Sequence, residues 1–245
     1  MSQTWIILGA TSTIARAFSR RAAERGEGVI LAGRDMDDLK TIAADCAARG
    51  APLAEPVAFD ARDPKSFTPI VARAREAEGT LSAAIFVGSM PPQDEIDADP
   101  ALVDGTITDS FTGPARFLTA LAPLLEQRGT GTVVGIGSVA GDRGRLGNYV
   151  YGASKAGFHA YLSGYRNRLG RSGVHVVTVK PGIVDTAMTW GMDKLPFLVP
   201  PEKVVDDIFR AVDRKKDIIY TPFIWWPVMT VIRSIPERIF KKLQI

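Results

Sequence analysis

Thr4-Trp-Ile-Ile-Leu8, followed by Gly9-Ala-Thr-Ser-Thr-Ile-Ala15, is the stretch whose reading decides the fold. A short aliphatic run reads as a buried strand, and one glycine then leads into a helical pattern extending to about Arg25. Gly26 and Gly28 close that helix, and Val29-Ile-Leu-Ala32 is a second buried strand. Strand, glycine turn, helix and strand in this order make the unit in which helix-start amides face a pyrophosphate. The turn is short of glycine: Gly9 stands alone, with Thr13 and Ala15 where further glycines are expected. Thr11, Ser12 and Thr13 offer hydroxyls to phosphate instead, and Gly9, Thr11, Ser12, Thr13 and Ile14 are the candidate cofactor contacts.

Working outward, the second strand ends at Gly33-Arg34, where an NAD-binding chain usually carries an acid for the ribose diol. A guanidinium there matches a 2′-phosphate, which it can grip with two parallel hydrogen bonds. Arg16 is a candidate second cation, so NADPH/NADP is favoured over NAD; Asp35, next to Arg34, works against that preference. Further runs alternate: a helix from Met36 to Arg49, a strand from Leu53 to Phe59, a helix from Pro64 to Glu78 and a strand from Leu81 to Val87. Asp60 and Ala61 follow the third strand and Gly88 the fourth, all as candidate cofactor contacts; the structural reading of Asp60 is a helix cap. Pro91 to Asp99 reads as an acidic surface loop, and Ala101 to Gln127 as a long helix interrupted at Gly113-Pro114. Thr132–Ile136, Val174–Lys180 and Asp217–Tyr220 complete a set of about seven strands. Strands alternating with helices predict an α/β, doubly wound parallel sheet.

The chemistry is carried by Gly135-Ile-Gly-Ser138 and by Asn148-Tyr-Val-Tyr151-Gly-Ala-Ser-Lys155-Ala-Gly157. Ser138 sits just past a strand end, while Tyr151 and Lys155, four apart on a helix, share a face. A phenol titrates near ~10 when unperturbed, and a neighbouring cation favours the phenolate. Tyr151 is thus the candidate acid/base, Lys155 its tuner, and Ser138 the group that orients a substrate oxygen. Tyr-x-x-x-Lys alone recurs by chance, and it becomes informative only beside the strand and the nucleotide site. Arg143 and Arg145, in a glycine-rich loop beside this stretch, read as surface charge or as contacts to a phosphorylated substrate. His159 and His175 have no metal-ligand companion at useful spacing and read as structural, so no metal site is expected.

Composition sets the outer limits. With 245 residues, 46% hydrophobic and 23% charged, the chain fits one α/β domain with a sizeable core. One cysteine, Cys46, excludes an intrachain disulfide framework and fits a reducing, cytoplasmic setting. Neither a signal peptide nor a spanning helix is expected. Four basic side chains and one acid lie between Tyr220 and Ile245, so this tail carries the whole formal charge of +3. The remainder is neutral overall, which argues against a nucleic-acid partner. Pro222-Phe-Ile-Trp-Trp-Pro227 and the recurrence of Ile232, Ile235, Ile239, Phe240 and Leu243 among Arg238, Lys241 and Lys242 describe an amphipathic basic extension. Such a segment can lie on an anionic membrane surface or pack over the protein's own cleft. Residues 1–221 are therefore expected as one catalytic domain, and 222–245 as its tail.

Taken together, these residues resemble the short-chain dehydrogenase/reductase family over essentially the whole chain. The resemblance implies a Rossmann fold and hydride transfer between NAD(P)H and a carbonyl or alcohol, with Ser138, Tyr151 and Lys155 at gaps of 13 and 4 as the active site. It assigns Pro181, Gly182, Val184 and Thr186 to nicotinamide contacts, and Ser110 to the place of a helix asparagine that completes a proton relay. Three departures stand out: Thr13 and Ala15 in the glycine turn, Phe86-Val-Gly-Ser89 after the fourth strand, and Ser110 itself. Within the family, Asn148–Gly157, the degenerate turn and the tail are similar to the mycobacterial-type decaprenylphosphoryl keto-sugar 2-reductases. That likeness implies a lipid-linked 2-keto pentofuranose as substrate. The competing readings are a reductase of a fatty-acyl, sterol or other small carbonyl compound, and a non-catalytic NADP(H)-binding regulator or scaffold. Met188 to Val199 is expected as a lid over the cleft, and a homo-oligomer is compatible with the sequence.

Overall fold

Seven short aliphatic runs form one fully parallel sheet in the computed structural model, which describes residues 2–191 and 195–243. The strands are β1 (Gln3–Leu8), β2 (Gly28–Gly33), β3 (Ala54–Ala58), β4 (Thr80–Ile85), β5 (Thr132–Ile136), β6 (His175–Pro181) and β7 (Ile218–Thr221). Their spatial order is β3-β2-β1-β4-β5-β6-β7. β2 and β5 are buried at every position, because a parallel sheet carries helices on both faces and leaves no side for water. The strand order reverses between β1 and β4, and a crevice opens there beyond the carboxyl ends of the strands.

Successive side chains of β1 point to opposite faces, so one strand feeds two cores. Trp5 and Ile7 pack under α1 (Thr13–Glu24), α2 (Met36–Ala48) and α8 (Pro201–Asp213). Phe18 of α1 meets the Trp5 ring edge-on at 5.1 Å and stacks on Phe209 of α8 at 4.7 Å. Ile6 and Leu8 pack on the other face under α3 (Phe67–Glu76), α6 (Gly113–Arg128) and α7 (Tyr149–Gly170). The α/β doubly wound architecture expected from the sequence is the one observed.

Three local expectations change. The acidic stretch before Asp99 is not a loop but holds a short helix, α4 (Gln93–Ala98). Asp94 and Glu95 suit its positive first turn, and Ile96 is buried. Gln93 accepts from the Val150 amide at 3.2 Å, and Tyr149 donates to Asp97, so α4 anchors the start of α7. Nor do Gly113 and Pro114 interrupt their helix. α5 (Ala101–Ile107) runs through a π-turn at Thr108–Thr112 into α6, where proline occupies an initial position that needs no amide donor. A Cβ at Gly113 would stand 2.4 Å from the Ala61 carbonyl, which is why glycine is required there. Finally, the tail is broken at Pro236 into α9 (Trp225–Ser234) and α10 (Glu237–Phe240). Trp225 and Met229, one turn apart on α9, are buried against Val139, Ile183 and Tyr220 of the main body. Among the described residues no helix is long and apolar enough to cross a membrane.

Candidate active site

Two adjoining cavities of about 700 and 1010 Å³ occupy the crevice beyond the strand ends and share Thr11, Ser12, Phe86, Val87 and Gly88 as a common wall. The smaller is lined by Gly9, Arg34, Asp60 and Ala61; the larger by Thr13, Ile14, Ser138, Tyr151, Lys155, Pro181, Gly182, Val184 and Thr186. Nearly every residue singled out in the sequence therefore faces one continuous cleft. Among the residues lining it, Arg16 and Ser110 are not found.

The smaller half is shaped for a nucleotide. Gly9 adopts φ +73°, and a Cβ there would stand 3.1 Å from the Val87 amide nitrogen, so glycine lets two strand ends and the turn converge. The Ser12 hydroxyl is buried with no partner at the start of α1, where a phosphate oxygen would satisfy it. This orphan donor, with the exposed Arg34 at the far wall, fits a phosphorylated dinucleotide. Arg16, the candidate second cation, is not among the lining residues: it pairs with Asp38 and donates to the Thr11 carbonyl at 3.0 Å. Asp35, next to Arg34, caps α2, its carboxylate accepting from the Asp37 and Asp38 amides at 3.1 Å. Asp60 accepts from the Arg62 amide at 2.9 Å while still lining the cleft.

In the larger half β5 delivers Ser138, and α7 delivers Tyr151 and Lys155 on one face. The side chains of Tyr151 and Lys155 converge as expected, with the ammonium 5.7 Å from the phenol ring centroid. Their electrostatics differ from the expectation. Tyr151 is only 8% and Lys155 only 3% exposed, and burial disfavours the charged form of each. The phenol is pushed up to about 12 by desolvation, against smaller lowering effects of Ser138 and the Arg145 charge. Lys155 is itself pushed down to about 8 by burial. Its ammonium donates to the Ile136 carbonyl at 3.0 Å, so in this structure it does not offset the desolvation of the phenol. The tuning assigned to Lys155 from helical spacing alone is thus outweighed by burial.

Ser110 sits in the π-turn, fully buried, donating to the Ser89 carbonyl at 3.1 Å and accepting from the Ser89 amide at 3.2 Å. It clamps the backbone after β4 and makes no hydrogen bond to Lys155; a Cβ at Gly88 would meet Lys155 Nζ at 3.2 Å and Ser110 Oγ at 3.4 Å, so the absent side chain leaves room for both. Residues 192–194 of the expected lid lie outside the described residues. On its described flanks Ala187–Thr189 forms a 3₁₀ turn, Val199 bridges Val184, and Phe197 meets Trp225 edge-on at 5.8 Å.

Two contributions were not foreseen. His159, read as merely structural, lies two turns along α7 from Tyr151 and accepts from the Ser138 amide through Nε2 at 3.3 Å. The repeat Tyr151, Lys155, His159 at intervals of four was visible in the sequence and marks one helix face. Behind it, buried Asp142 accepts from Lys180 and from Tyr220, each at 2.6 Å, and lies 3.7 Å from His159 Nδ1. The second is Trp225 of the tail, whose ring fills the space beside Gly182: a Cβ there would come within 1.7 Å of the indole nitrogen.

Residues 3–194 match the short chain dehydrogenase family, so the chain belongs to the short-chain dehydrogenase/reductases, NAD(P)-dependent oxidoreductases. It is 32% identical over 97% of its length to an uncharacterised oxidoreductase of Mycobacterium tuberculosis, covering 96% of that protein. It is also 32% identical to sulfoacetaldehyde reductase 2 of Chromohalobacter salexigens, over 77% of this chain and 75% of that one. A short-chain dehydrogenase from Sphingobium yanoikuyae, solved in complex with NADPH, superposes with a TM-score of 0.78 at 26% identity over 97% of both chains. These relatives carry the family and not the narrower likeness to lipid-linked keto-sugar reductases.

Proposed function

We propose that this oxidoreductase reduces a carbonyl compound to an alcohol with NADPH, using Ser138, Tyr151 and Lys155. The observation that supports it best is convergence: the phenol and the serine face the same cleft as Pro181–Thr189, and that cleft continues to Arg34. The chemistry NADPH supplies when bound is hydride delivery to the carbonyl carbon. Tyr151 hands its proton to the carbonyl oxygen, a transfer that a buried, neutral phenol at about 12 is protonated to make at neutral pH. Ser138 donates to the same oxygen and fixes the face presented. Lys155, its ammonium fixed on the Ile136 carbonyl and 5.7 Å from the phenol ring centroid, binds the cofactor beside Tyr151. Gly9, Thr11, Ser12, Thr13, Ile14, Asp60, Ala61 and Gly88 hold the dinucleotide, with Arg34 taking the 2′-phosphate. Consumption of NADPH and NADH with a panel of ketones and aldehydes, sulfoacetaldehyde included, tests the reading. Turnover with NADPH preferred supports it; no turnover with any carbonyl overturns it.

A second reading concerns the substrate's carrier. Phe223 (71% exposed) and Trp226 (51% exposed) stack at 5.8 Å on the outer side of the tail, beside Arg214, Lys216 and Arg233. An exposed aromatic pair among cations suits an anionic bilayer surface and, with it, a polyprenyl-phosphate-linked 2-keto sugar. Co-sedimentation with phosphatidylglycerol vesicles that disappears in a Phe223→Ser/Trp226→Ser variant supports this reading, and unchanged partitioning removes it. Deleting the tail is a poorer test, because it also removes Trp225, which packs against Val139 and Ile183 and beside the cleft-lining Gly182.

A further inference from the structure

The last carbonyls of a helix have no amide of their own helix to pair with, and Pro236, just beyond α9, has no N–H to offer. Arg143 supplies the donors. Its guanidinium donates to the carbonyls of Arg233 and Ile235 at 3.0 Å each, pairs with Glu237 at 2.6 Å and lies over the Phe240 ring at 4.0 Å. A cation there also meets the negative end of the helix dipole. The side chain is 18% exposed and fully engaged by the tail, so it is neither the surface charge nor the substrate-phosphate contact expected from the sequence.

Arg143 follows directly on the 3₁₀ turn Val139–Asp142, which Ser138 opens. Ser138 Oγ accepts from the Ala140 amide at 3.1 Å, and its carbonyl accepts from the Gly141 amide at 3.0 Å. This turn is a layer between α7 and the tail. On one side, a Cβ at Gly141 would stand 2.8 Å from the Ala156 amide nitrogen and from His159 Cε1, so the turn lies directly on the catalytic helix. On the other, Val139 packs with Trp225 and Met229 of α9. Beyond Arg143 the chain passes Gly144 and Gly147, where an added Cβ would meet nothing within 4 Å, so the loop ahead of α7 gives the turn no backing. Val139 is therefore the apolar half, and Arg143 the polar half, of a joint between the serine turn and α9.

We propose that Arg143 is a positioning residue: by capping α9 it presses the serine turn onto the catalytic helix and holds Ser138 in register with Tyr151. The tail thereby completes the active site, although none of its described residues lines the two cavities of the cleft. This deepens the carbonyl-reductase reading, because Ser138 is the group held, and rests on it.

Arg143→Met and Arg143→Lys are compared with wild type, each also in a Ser138→Ala background, with NADPH saturating and a carbonyl that wild type reduces. Misplacing a positioned group is costly, and Arg143→Met is expected to lower kcat by about tenfold with NADPH affinity within about twofold of wild type. Arg143→Lys, which keeps a cationic donor for the α9 carbonyls, is expected to recover part of the loss. If Arg143 acts through Ser138, its replacement costs less than about twofold more once Ser138 is alanine. A residue that only stabilised the tail would cost the same in both backgrounds. Amide hydrogen exchange reads the turn without turnover: the amides of Ser138, Ala140 and Gly141 are expected to exchange faster in Arg143→Met, and those of β5 at the wild-type rate. Should Arg143→Met not fold, Arg143→Lys carries the same comparisons. An unchanged kcat, an equal loss in both backgrounds or unchanged exchange in the turn overturns the proposal and leaves the reductase reading intact. Faster exchange in the turn, with no carbonyl turned over by wild type, does the reverse.

Discussion

The Ser138 amide donates to Nε2 of His159 at 3.3 Å, so the helix that supplies the phenol and the ammonium also holds the serine turn. A Cβ at Gly137 would come within 2.1 Å of that nitrogen, and glycine at this position is what lets the imidazole approach the backbone. To accept there, His159 must be neutral with its proton on Nδ1, facing Asp142. Burial enforces this by pushing the imidazole down to about 3.

Replacing His159 by leucine leaves the Ser138 amide without its acceptor and lets the serine drift. Small displacements of a positioned group cost up to about 10²-fold in rate. His159→Leu is expected to lower kcat with little change in KM, and His159→Gln, which restores an acceptor, to recover much of it. Steady-state kinetics with any accepted ketone checks the split; equal losses in both variants would remove His159 from the positioning of Ser138.

Two buried bases give the stability a defined pH dependence. His159 is depressed from 6.5 to about 3, so between these values the unfolded chain binds a proton that the native state does not. Its contribution is full above pH 6.5 and is lost as pH falls toward 3, and His159→Gln should flatten acid unfolding over that range. Lys155 is depressed from 10.5 to about 8, with the same sign. The stability of wild type relative to Lys155→Met should therefore rise as pH goes from 8 to 10.5. Urea denaturation at stepped pH measures both.

Arg34 is the cleft-lining cation at the end of β2, Arg16 being held by Asp38. Loss of a charge-assisted grip on a phosphate is worth about 1.5–3 kcal/mol, or roughly 10- to 150-fold. Arg34→Ser should cut kcat/KM for NADPH by a factor in that range and leave NADH almost untouched. Arg16→Ser should instead lower thermal stability with a smaller effect on the NADPH/NADH ratio.

Trp225 is 6% exposed and ties α9 to Val139, next to Ser138, and to Ile183, next to Gly182. Truncating a buried tryptophan to alanine costs about 3–5 kcal/mol when the cavity does not collapse. Trp225→Ala should lower the melting temperature and raise KM. Gly182→Ala, which forces the indole out, should do the same, while Trp226→Ala on the exposed side of the same helix should do neither. Differential scanning fluorimetry alongside kinetics separates the three.

Much of this was legible in the sequence because periodicity and end signals are local. Unbroken apolar runs marked strands covered on both faces, and the four-residue spacing of Tyr151 and Lys155 placed them on one helix face. Pro91–Asp99 was misread because proline and acids resemble a loop, when Ile96 and Gln93 give the segment a face to bury. Gly113-Pro114 looked like a break because a π-turn has no local sequence period. The partnership of Arg16 with Asp38 and the Ser138–His159 bond are contacts between distant segments, which no local pattern carries. The lowered tyrosine was inferred from a charge four residues away, whereas its ionisation is dominated by burial, a property of the whole fold.

In the proposed reaction Tyr151 supplies the proton, while the cleft around it binds NADPH independently of that hydroxyl. Tyr151→Phe, measured for NADPH affinity by fluorescence and for turnover by absorbance with a carbonyl that wild type reduces, tests it most directly. Affinity within about twofold of wild type, with turnover reduced by about 10²- to 10⁴-fold, is the predicted result. Equal turnover in the two proteins would contradict it.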